Sequence, residues 1–565
     1  MSGLTRFAVA LSLVLGGSLV LPQPTSAQAP PPPPPNPLVP LGPVPVPAGS
    51  PLTTDRVRLG QTLFWDEQVS LTGTVACGTC HAPRGGGSDP RDLAQTEAAR
   101  NPGGDGVFGT NDDALGALGV PRHDADGLYD ASTHFGLLPQ PGGRQAPSMV
   151  NAGYFNLLFW DGRAASRFDN PDGGATLIAS GGALENQAIG PIVNDVEMAH
   201  VGESLGGVMA RLTTTAPLRL AEGIPADLSS WIAGRSYPEL FTQAFGTPDI
   251  TAARFAMALA SYQRSLVADQ TPLDNELRGT PSLTPQERAG RQVFTNSGCA
   301  GCHGGALLSD DNFHYIGVRP QNADAGRFGV TGANPDRGAM HTPSLRHVEL
   351  SAPYMANGRF ATLEEVVDFY DRGGDFTAPN LAPGIRPLNL TAQQKTDLVA
   401  FLKRPLTDPR LVSETGPFAH PSLFAESNRA PRSADVGVPD KSTGLTPELI
   451  ALEPPLAGTS EYFTIGLQFA RAGATVYLVV DLADPIGVSD PSADSLWDFP
   501  SLVTDAQGRA SAHLLLPNVP ELQDTPLFLR AFVEDEVPGV FAVSQRIEFS
   551  LLEVTARIFR GGFED

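Results

Sequence analysis

Apart from two five-residue motifs, the chain has no cysteine. All four cysteines fall in Cys77-Gly-Thr-Cys80-His81 and Cys299-Ala-Gly-Cys302-His303, which leaves none for a redox or zinc half-site elsewhere. Positive charge is scarce as well. Lys and Arg total 38 against 61 Asp and Glu, a formal charge of -23. That balance argues against nucleic acid and against anionic membrane surfaces; it suits a basic or neutral partner, or plain solubility. Long apolar runs are missing too. The N-terminal run, Phe7 to Leu21, is too short for a comfortable membrane-spanning helix. With Arg6 before it and Thr25-Ser26-Ala27 after it, residues 1–27 read as a signal peptide, an uncleaved anchor being the alternative. The mature chain is therefore expected without a membrane span, in the periplasm of a Gram-negative bacterium or secreted.

What the chain does have is a duplicated Cys-x-x-Cys-His, the attachment signature of a c-type haem. The two thiols can form thioethers to the porphyrin vinyls, and the adjacent histidine can reach the iron as proximal ligand. Two covalent haems, held by Cys77, Cys80 and His81 and by Cys299, Cys302 and His303, make redox chemistry the expected function. Export agrees, because c-type haem is attached outside the cytoplasm.

With 565 residues, 60 of them Gly and 53 Pro, more than one domain and many loops are expected. Residues 28–52 contain six consecutive prolines, Pro30 to Pro35, and read as a stiff spacer without a core. A first haem domain is expected over 53–270 and a second over 271–415, both largely helical. Start signals support this: Thr284-Pro285-Gln286-Glu287, Thr362-Leu363-Glu364-Glu365 and Thr391-Ala392-Gln393-Gln394 are capping boxes, and Thr251 to Val267 repeats apolar residues at helical spacing. Residues 101–130, rich in Gly and Asp, lack EF-hand spacing and read as a solvated insertion, inside which His123 is expected to be solvated. After a linker at 416–460, β-branched, partly alternating segments over 461–555 predict an all-β, sandwich-like accessory domain, with a tail at 556–565. The fold class is thus mainly α: two cytochrome-c-like haem domains followed by a C-terminal β domain.

The motifs and their surroundings resemble the bacterial di-haem cytochrome c peroxidase family, which includes MauG-type enzymes. The matching blocks are Leu59 to Asp66 before Cys77, Gly143 to Asn151, Phe159 to Arg163, Gln187 to Pro191 with Val196-Glu197-Met198, and Thr342 to Arg346 followed by Pro353-Tyr354-Met355 and Gly358 to Leu363. The resemblance implies a peroxidatic N-terminal haem and an electron-transferring C-terminal haem facing across an interface that holds one calcium ion. It places Gln187 and Glu197 in the peroxidatic pocket, Trp160 between the haems, and Gln145, Ser351 and Pro353 at the calcium. Chemistry supports these roles. Cleaving peroxide needs a proton moved between its oxygens, which a carboxylate in a partly apolar pocket can do as base and then acid.

The sequence also departs from the family. Tyr370 stands where peroxidases carry a methionine ligand of the second iron and MauG-type enzymes a tyrosine; Met340 and Met355 are rival ligands. Ala356 replaces the usual histidine, and Gln145 an asparagine. His134 could block the first iron in a resting state, or that iron could be open. His314 and His347 read as structural or propionate-binding. The resemblance implies a peroxidase that reduces hydrogen peroxide to water with electrons from a small cytochrome c or cupredoxin, and it leaves a homodimer open. A MauG-like oxidase of an organic or protein substrate working through a high-valent state is the second reading, and a non-catalytic electron carrier the third.

Overall fold

The computed structural model describes residues 36–458 and 462–553. The expected signal peptide, the proline run and the tail lie outside them. Among the described residues no helix is long and apolar enough to cross a membrane.

Each haem domain is built on a pair of crossed helices. In the first, Thr54–Trp65 packs on Ala252–Ser265; in the second, Pro285–Asn296 packs on Ala392–Leu402. The expected caps are present: Thr251, Thr284 and Thr391 each accept a hydrogen bond from an amide of the first turn. Both crossings depend on one glycine. A Cβ at Gly60 would lie 1.9 Å from the Ala258 carbonyl oxygen, and one at Gly290 would lie 1.9 Å from that of Asp397. Phe64 and Phe294, one turn further on, are buried in the two cores.

The duplication extends beyond these helices. Pro147-Ser148 through Gly162-Arg163 recurs as Pro343-Ser344 through Gly358-Arg359 at identical spacing. The backbones match: Asn151 and His347 have φ of 60° and 65°, and Phe159 and Met355 have φ of 68° and 71°. Ser148 Oγ donates to the Gly86 carbonyl at 2.7 Å and Ser344 Oγ to that of Leu307 at 2.6 Å, each tying its repeat to the loop after a haem motif. In this register Trp160 and Ala356 are counterparts.

The domains are joined by charge as well as by chain. Arg144 reaches Asp161 in its own domain and both carboxylate oxygens of Asp324 in the other, at 2.7 and 2.8 Å. Within the second domain, Arg346 holds Asp274 by two bonds of 2.8 Å, and both residues are buried.

From Arg432 onward the chain is sheet-rich. One sheet orders Leu502–Val503, Thr475–Asp481, Leu527–Glu534, Arg546–Phe549 and Arg432–Ala434, with Phe541–Val543 also paired to Leu527–Glu534; a second orders Glu448–Ile450, Phe463–Gln468 and Ala510–Leu514. All these pairings are antiparallel. Alternation sends Phe463, Ile465 and Leu467 into one core with Val476, Leu478, Val480, Leu527 and Leu529.

Three boundaries differ from those expected. Residues 416–460 are no linker: Arg432–Ala434 and Glu448–Ile450 are strands of the two sheets, and Phe418 and Leu423 are buried in the first haem domain. These strands are three residues long, too short for alternation to reveal them. The proline-rich segment is likewise no free spacer from Asn36 on. It is strapped over both haem domains, with Asn36 N donating to the Ala300 carbonyl at 3.1 Å and Tyr154 Oη donating to that of Gly42 at 2.6 Å. Without a regular repeat of its own, such a segment shows no sequence periodicity. The insertion is exposed around 104–111 and again at Ala125 and Asp126. Asp126, Tyr129 and Leu137 are held by the sheets, and His123 is fully buried, its Nδ1 2.7 Å from the Pro121 carbonyl.

Candidate active site

The first haem motif opens a short helix, Cys77–Cys80, and His81 follows it. His81 Nδ1 lies 3.2 Å from the Gly87 carbonyl oxygen; His303 Nδ1 lies 3.1 Å from that of Leu308. Each bond fixes the ring with Nδ1 as donor and leaves the Nε2 lone pair for a metal, the arrangement a proximal ligand requires. Burial lowers both histidine pKa values and raises the Cys77 and Cys80 thiols to about 12 and that of Cys299 to about 11. The four cysteines form no disulfide. Half-buried thiols, a fixed imidazole and an adjoining cavity suit a thioether-linked haem.

That cavity, of about 890 Å³, is lined by Cys77, Cys80 and His81 together with Trp160, Gln187 and Glu197. Gln187 comes from the last turn of the helix Ala183–Ala188, which is anchored from the same helix by Glu185. Glu185 makes bonds of 2.7 and 2.8 Å to Arg264 on the crossing helix, both residues being buried. Glu197 sits on a turn after Pro191–Val193, its amide 3.2 Å from both Asn194 Oδ1 and the Asn194 carbonyl. Burial holds its carboxyl above the usual carboxylate range, with the Arg163 guanidinium pulling the other way. Glu197 also borders a smaller cavity of about 270 Å³ shared with Phe159, Arg163 and Asn194. At that cavity the exposed Arg163 lies over the Phe159 ring, 3.6 Å from its centroid.

Trp160 stands where the two haem domains meet. Its Nε1 donates to the Gln145 carbonyl at 2.8 Å, and its own carbonyl accepts from His341 N of the second domain at 2.8 Å. Gln145 N in turn donates to the carbonyl of Ala356, the counterpart of Trp160, at 2.8 Å. Gln145, Ser351 and Pro353 line the same large cavity. The Gln145 amide nitrogen is committed to the Leu115 carbonyl at 2.8 Å, which leaves Oε1 as its free donor atom for a cation. Three neutral oxygens of this kind suit a hard cation.

At the second motif, Tyr370 ends the helix Leu363–Asp371; burial raises its phenol pKa, and the Cys299 and Cys302 thiols push it further. It is therefore brought to the haem-attachment cysteines. Of its rivals, Met355 lines the large cavity and Met340 lies in a two-residue strand paired with Phe313–His314. His314 Nε2 lies 2.8 Å from Asp310, and with Cys302 they form a close group at the motif. His347 is buried and accepts from Asp408 N at 3.3 Å, a structural role. His134 is not brought to the cavity: it is exposed, with Phe108 and Phe135 edge-on at 6.1 and 6.2 Å. The long Gly/Asp loop carries it outward. Sequence reading missed the Glu185–Arg264 lock and the repeat pairing Trp160 with Ala356, although aligning the chain with itself at the two Pro-Ser-x motifs exposes the repeat.

Two c-type haem domains, one bordering a cavity with a half-buried carboxylate, define a di-haem redox protein. Comparison with known proteins takes this further. The family model for di-haem cytochrome c peroxidase matches residues 54–282, and that for cytochrome c matches 287–404. The chain is 31% identical over 374 residues to the methylamine utilization protein MauG of Methylorubrum extorquens, covering 66% of this chain and 83% of that one. It is 30% identical over 424 residues to the cytochrome-c peroxidase IdrP1 of Denitromonas iodatirespirans, covering 68% and 92%. Among solved structures, a MauG-like protein associated with microbial copper homeostasis aligns at 25% identity with a TM-score of 0.46, over 72% of this chain and 99% of that one. The chain belongs to the di-haem cytochrome c peroxidase family and is a di-haem peroxidase, an oxidoreductase.

Proposed function

We propose that hydrogen peroxide is reduced to water in the cavity bordered by His81, Gln187 and Glu197, and that electrons enter through the domain of His303. The haems supply the redox equivalents; the residues described here bind peroxide and move its protons. Gln187 orients peroxide by hydrogen bonding. Glu197, as carboxylate, takes the proton from one oxygen and, as acid, returns it to the departing one. Its raised pKa keeps both forms accessible nearer neutrality than an ordinary glutamate allows. Trp160 offers a polarizable indole on the path between the domains. The observation that carries this reading is the half-buried carboxylate of Glu197 on the His81 cavity, a feature an electron carrier does not need. Calcium at Gln145, Ser351 and Pro353 would brace the domain junction. The donor in this reading is a small cytochrome c or cupredoxin, and the compartment is the periplasm or exterior. The C-terminal sheets, sharing one core, are read as a sandwich-like domain.

Tyr370 favours a second reading, a MauG-like oxidase of an organic or protein substrate, because a phenolate is a harder ligand than a thioether and favours ferric iron. Peroxide turnover with reduced cytochrome c, before and after pre-reduction of the enzyme, decides between them. Fast turnover supports the peroxidase; none in either state, with a long-lived oxidised species instead, supports the oxidase.

A further inference from the structure

The sheet domain has no cysteine and hence no haem-attachment motif, yet a continuous piece of chain runs from it to the backbone of Glu197. At one end, Val120 N donates to the Val196 carbonyl at 3.1 Å, Val201 N donates to that of His123 at 3.1 Å, and Gln140 Nε2 donates to that of Asp195 at 3.1 Å. These three bonds bracket the Glu197 turn on both sides. Gly119 lies against it so closely that a Cβ there would sit 2.0 Å from the Val196 carbonyl oxygen and 2.7 Å from Glu197 Cα.

At the other end the same segment is clamped by the sheets. Tyr129 N donates to Ser511 Oγ at 2.9 Å, Leu137 N to Gln468 Oε1 at 3.1 Å, and His513 Nε2 lies 3.0 Å from the Asp126 carbonyl. Tyr129, Leu137 and Ile450 form a buried apolar cluster between the two parts. Strand alternation explains the division of labour. In Phe463–Gln468 the odd-numbered residues fill the sheet core, leaving Gln468 on the opposite face; Ser511 is on the neighbouring strand. A face that would otherwise meet water is given over to holding the insertion.

We propose that the C-terminal sheet domain, acting through residues 118–140, fixes the Glu197 turn in the geometry peroxide cleavage needs, with Gly119, Gln468 and Ser511 as positioning residues. This rests on the acid/base role proposed for Glu197. General acid–base transfer tolerates little displacement, and misplacing a reacting group by about 1 Å can cost on the order of 100-fold in rate. A bracket secured at a distance is thus a means of controlling rate.

The test uses the full-length holoprotein with Ser511→Ala and Gln468→Ala combined, both haems first shown to be covalently attached. Amide hydrogen exchange and the pH profile of peroxide consumption are then measured. The expected result is faster exchange at 194–201 as well as at 121–138, a rate lowered ~10-fold or more, and a shifted acid limb. Restoring the hydroxyl with Ser511→Thr alongside native Gln468 should recover most of the rate. Gly119→Ala, made inside the haem domain, should give the same rate and pH signature without loosening 126–138. Unchanged exchange at 194–201 and an unchanged rate, in a double variant whose 121–138 segment has loosened, would overturn the proposal. Glu197→Gln separates the two ideas: full activity there removes the acid/base role itself, while the exchange result still reports on the bracket.

Discussion

The two haem domains share a frame and differ in what they hang on it. Both cross two helices over one glycine, both tether the proximal imidazole to a backbone carbonyl, and both repeat the same stretch of backbone, left-handed residues included. After that stretch they part. The first domain has a short helix carrying Gln187, then a turn carrying Glu197 onto an open cavity. The second runs a longer helix straight to Tyr370 beside its cysteines. One duplicated scaffold thus holds a polar pocket in one half and a phenol in the other. The segment after the repeat sets the two halves apart, while the tether of the motif histidine is the same in both.

The comparison breaks most sharply at Glu197. Glu197→Gln should lower the rate of peroxide consumption by about 100- to 10,000-fold, the usual reach of general acid–base catalysis, with both haems retained. Stopped-flow absorbance checks this, and an unaffected rate would mean the pocket is not where cleavage occurs.

Next comes the buried Glu185–Arg264 lock of the first half. Arg264→Leu leaves Glu185 buried without a partner and should destabilise the first domain by about 3–5 kcal/mol, seen as a lower denaturant midpoint at the His81 haem. Equal loss at both haems would show that the domains unfold as one unit.

The shared feature is tested by Gly60→Ala and Gly290→Ala. Each forces its helix pair apart and should cost about 1–3 kcal/mol. Similar losses in the two variants support a common frame; a large loss in one alone would sink it.

The smallest effect is on pH dependence, through Glu453 at the sheet-domain junction. Its carboxyl is pushed up to about 8 by burial, with amide and side-chain bonds from Thr464 opposing; His123, 3.8 Å away, is lowered to about 4. An acid with a raised folded pKa contributes stability that is full below its ordinary value and is lost as pH rises toward about 8. His123 slopes the other way, but only below its ordinary 6.5. Thermal melts should therefore show falling stability between pH 6.5 and about 8, and Glu453→Gln should flatten that slope. An unchanged slope would place the titration elsewhere.

Much of this was legible in the sequence because it is local. Thioether chemistry needs Cys-x-x-Cys-His contiguous, and helix starts need Thr and Glu three apart, so both can be read without a structure. Gln187 and Glu197 were found through family spacing, and the cavity contains both. What was illegible depends on distant partners. His123 reads as solvated because its neighbours Asp124 and Asp126 are polar; its burial comes from sheets more than three hundred residues later. The strands Arg432–Ala434 and Glu448–Ile450 are too short to show a period, and only their pairing defines them. His134 stood at a suggestive distance from Arg144, but the loop before it carries the ring to the surface.

The strap at residues 36–50 has a consequence in time. Its amide at Asn36 rests on Ala300, inside the second Cys-x-x-Cys-His, while Gly42 is held by Tyr154 in the first domain. The earliest described part of the chain to be synthesised is therefore among the last able to settle, since its seat is made of both halves. Contacts of such long sequence separation form late. The strap also touches the motif that holds Cys299 and Cys302, so it can settle only once that loop has taken its place beside the first domain.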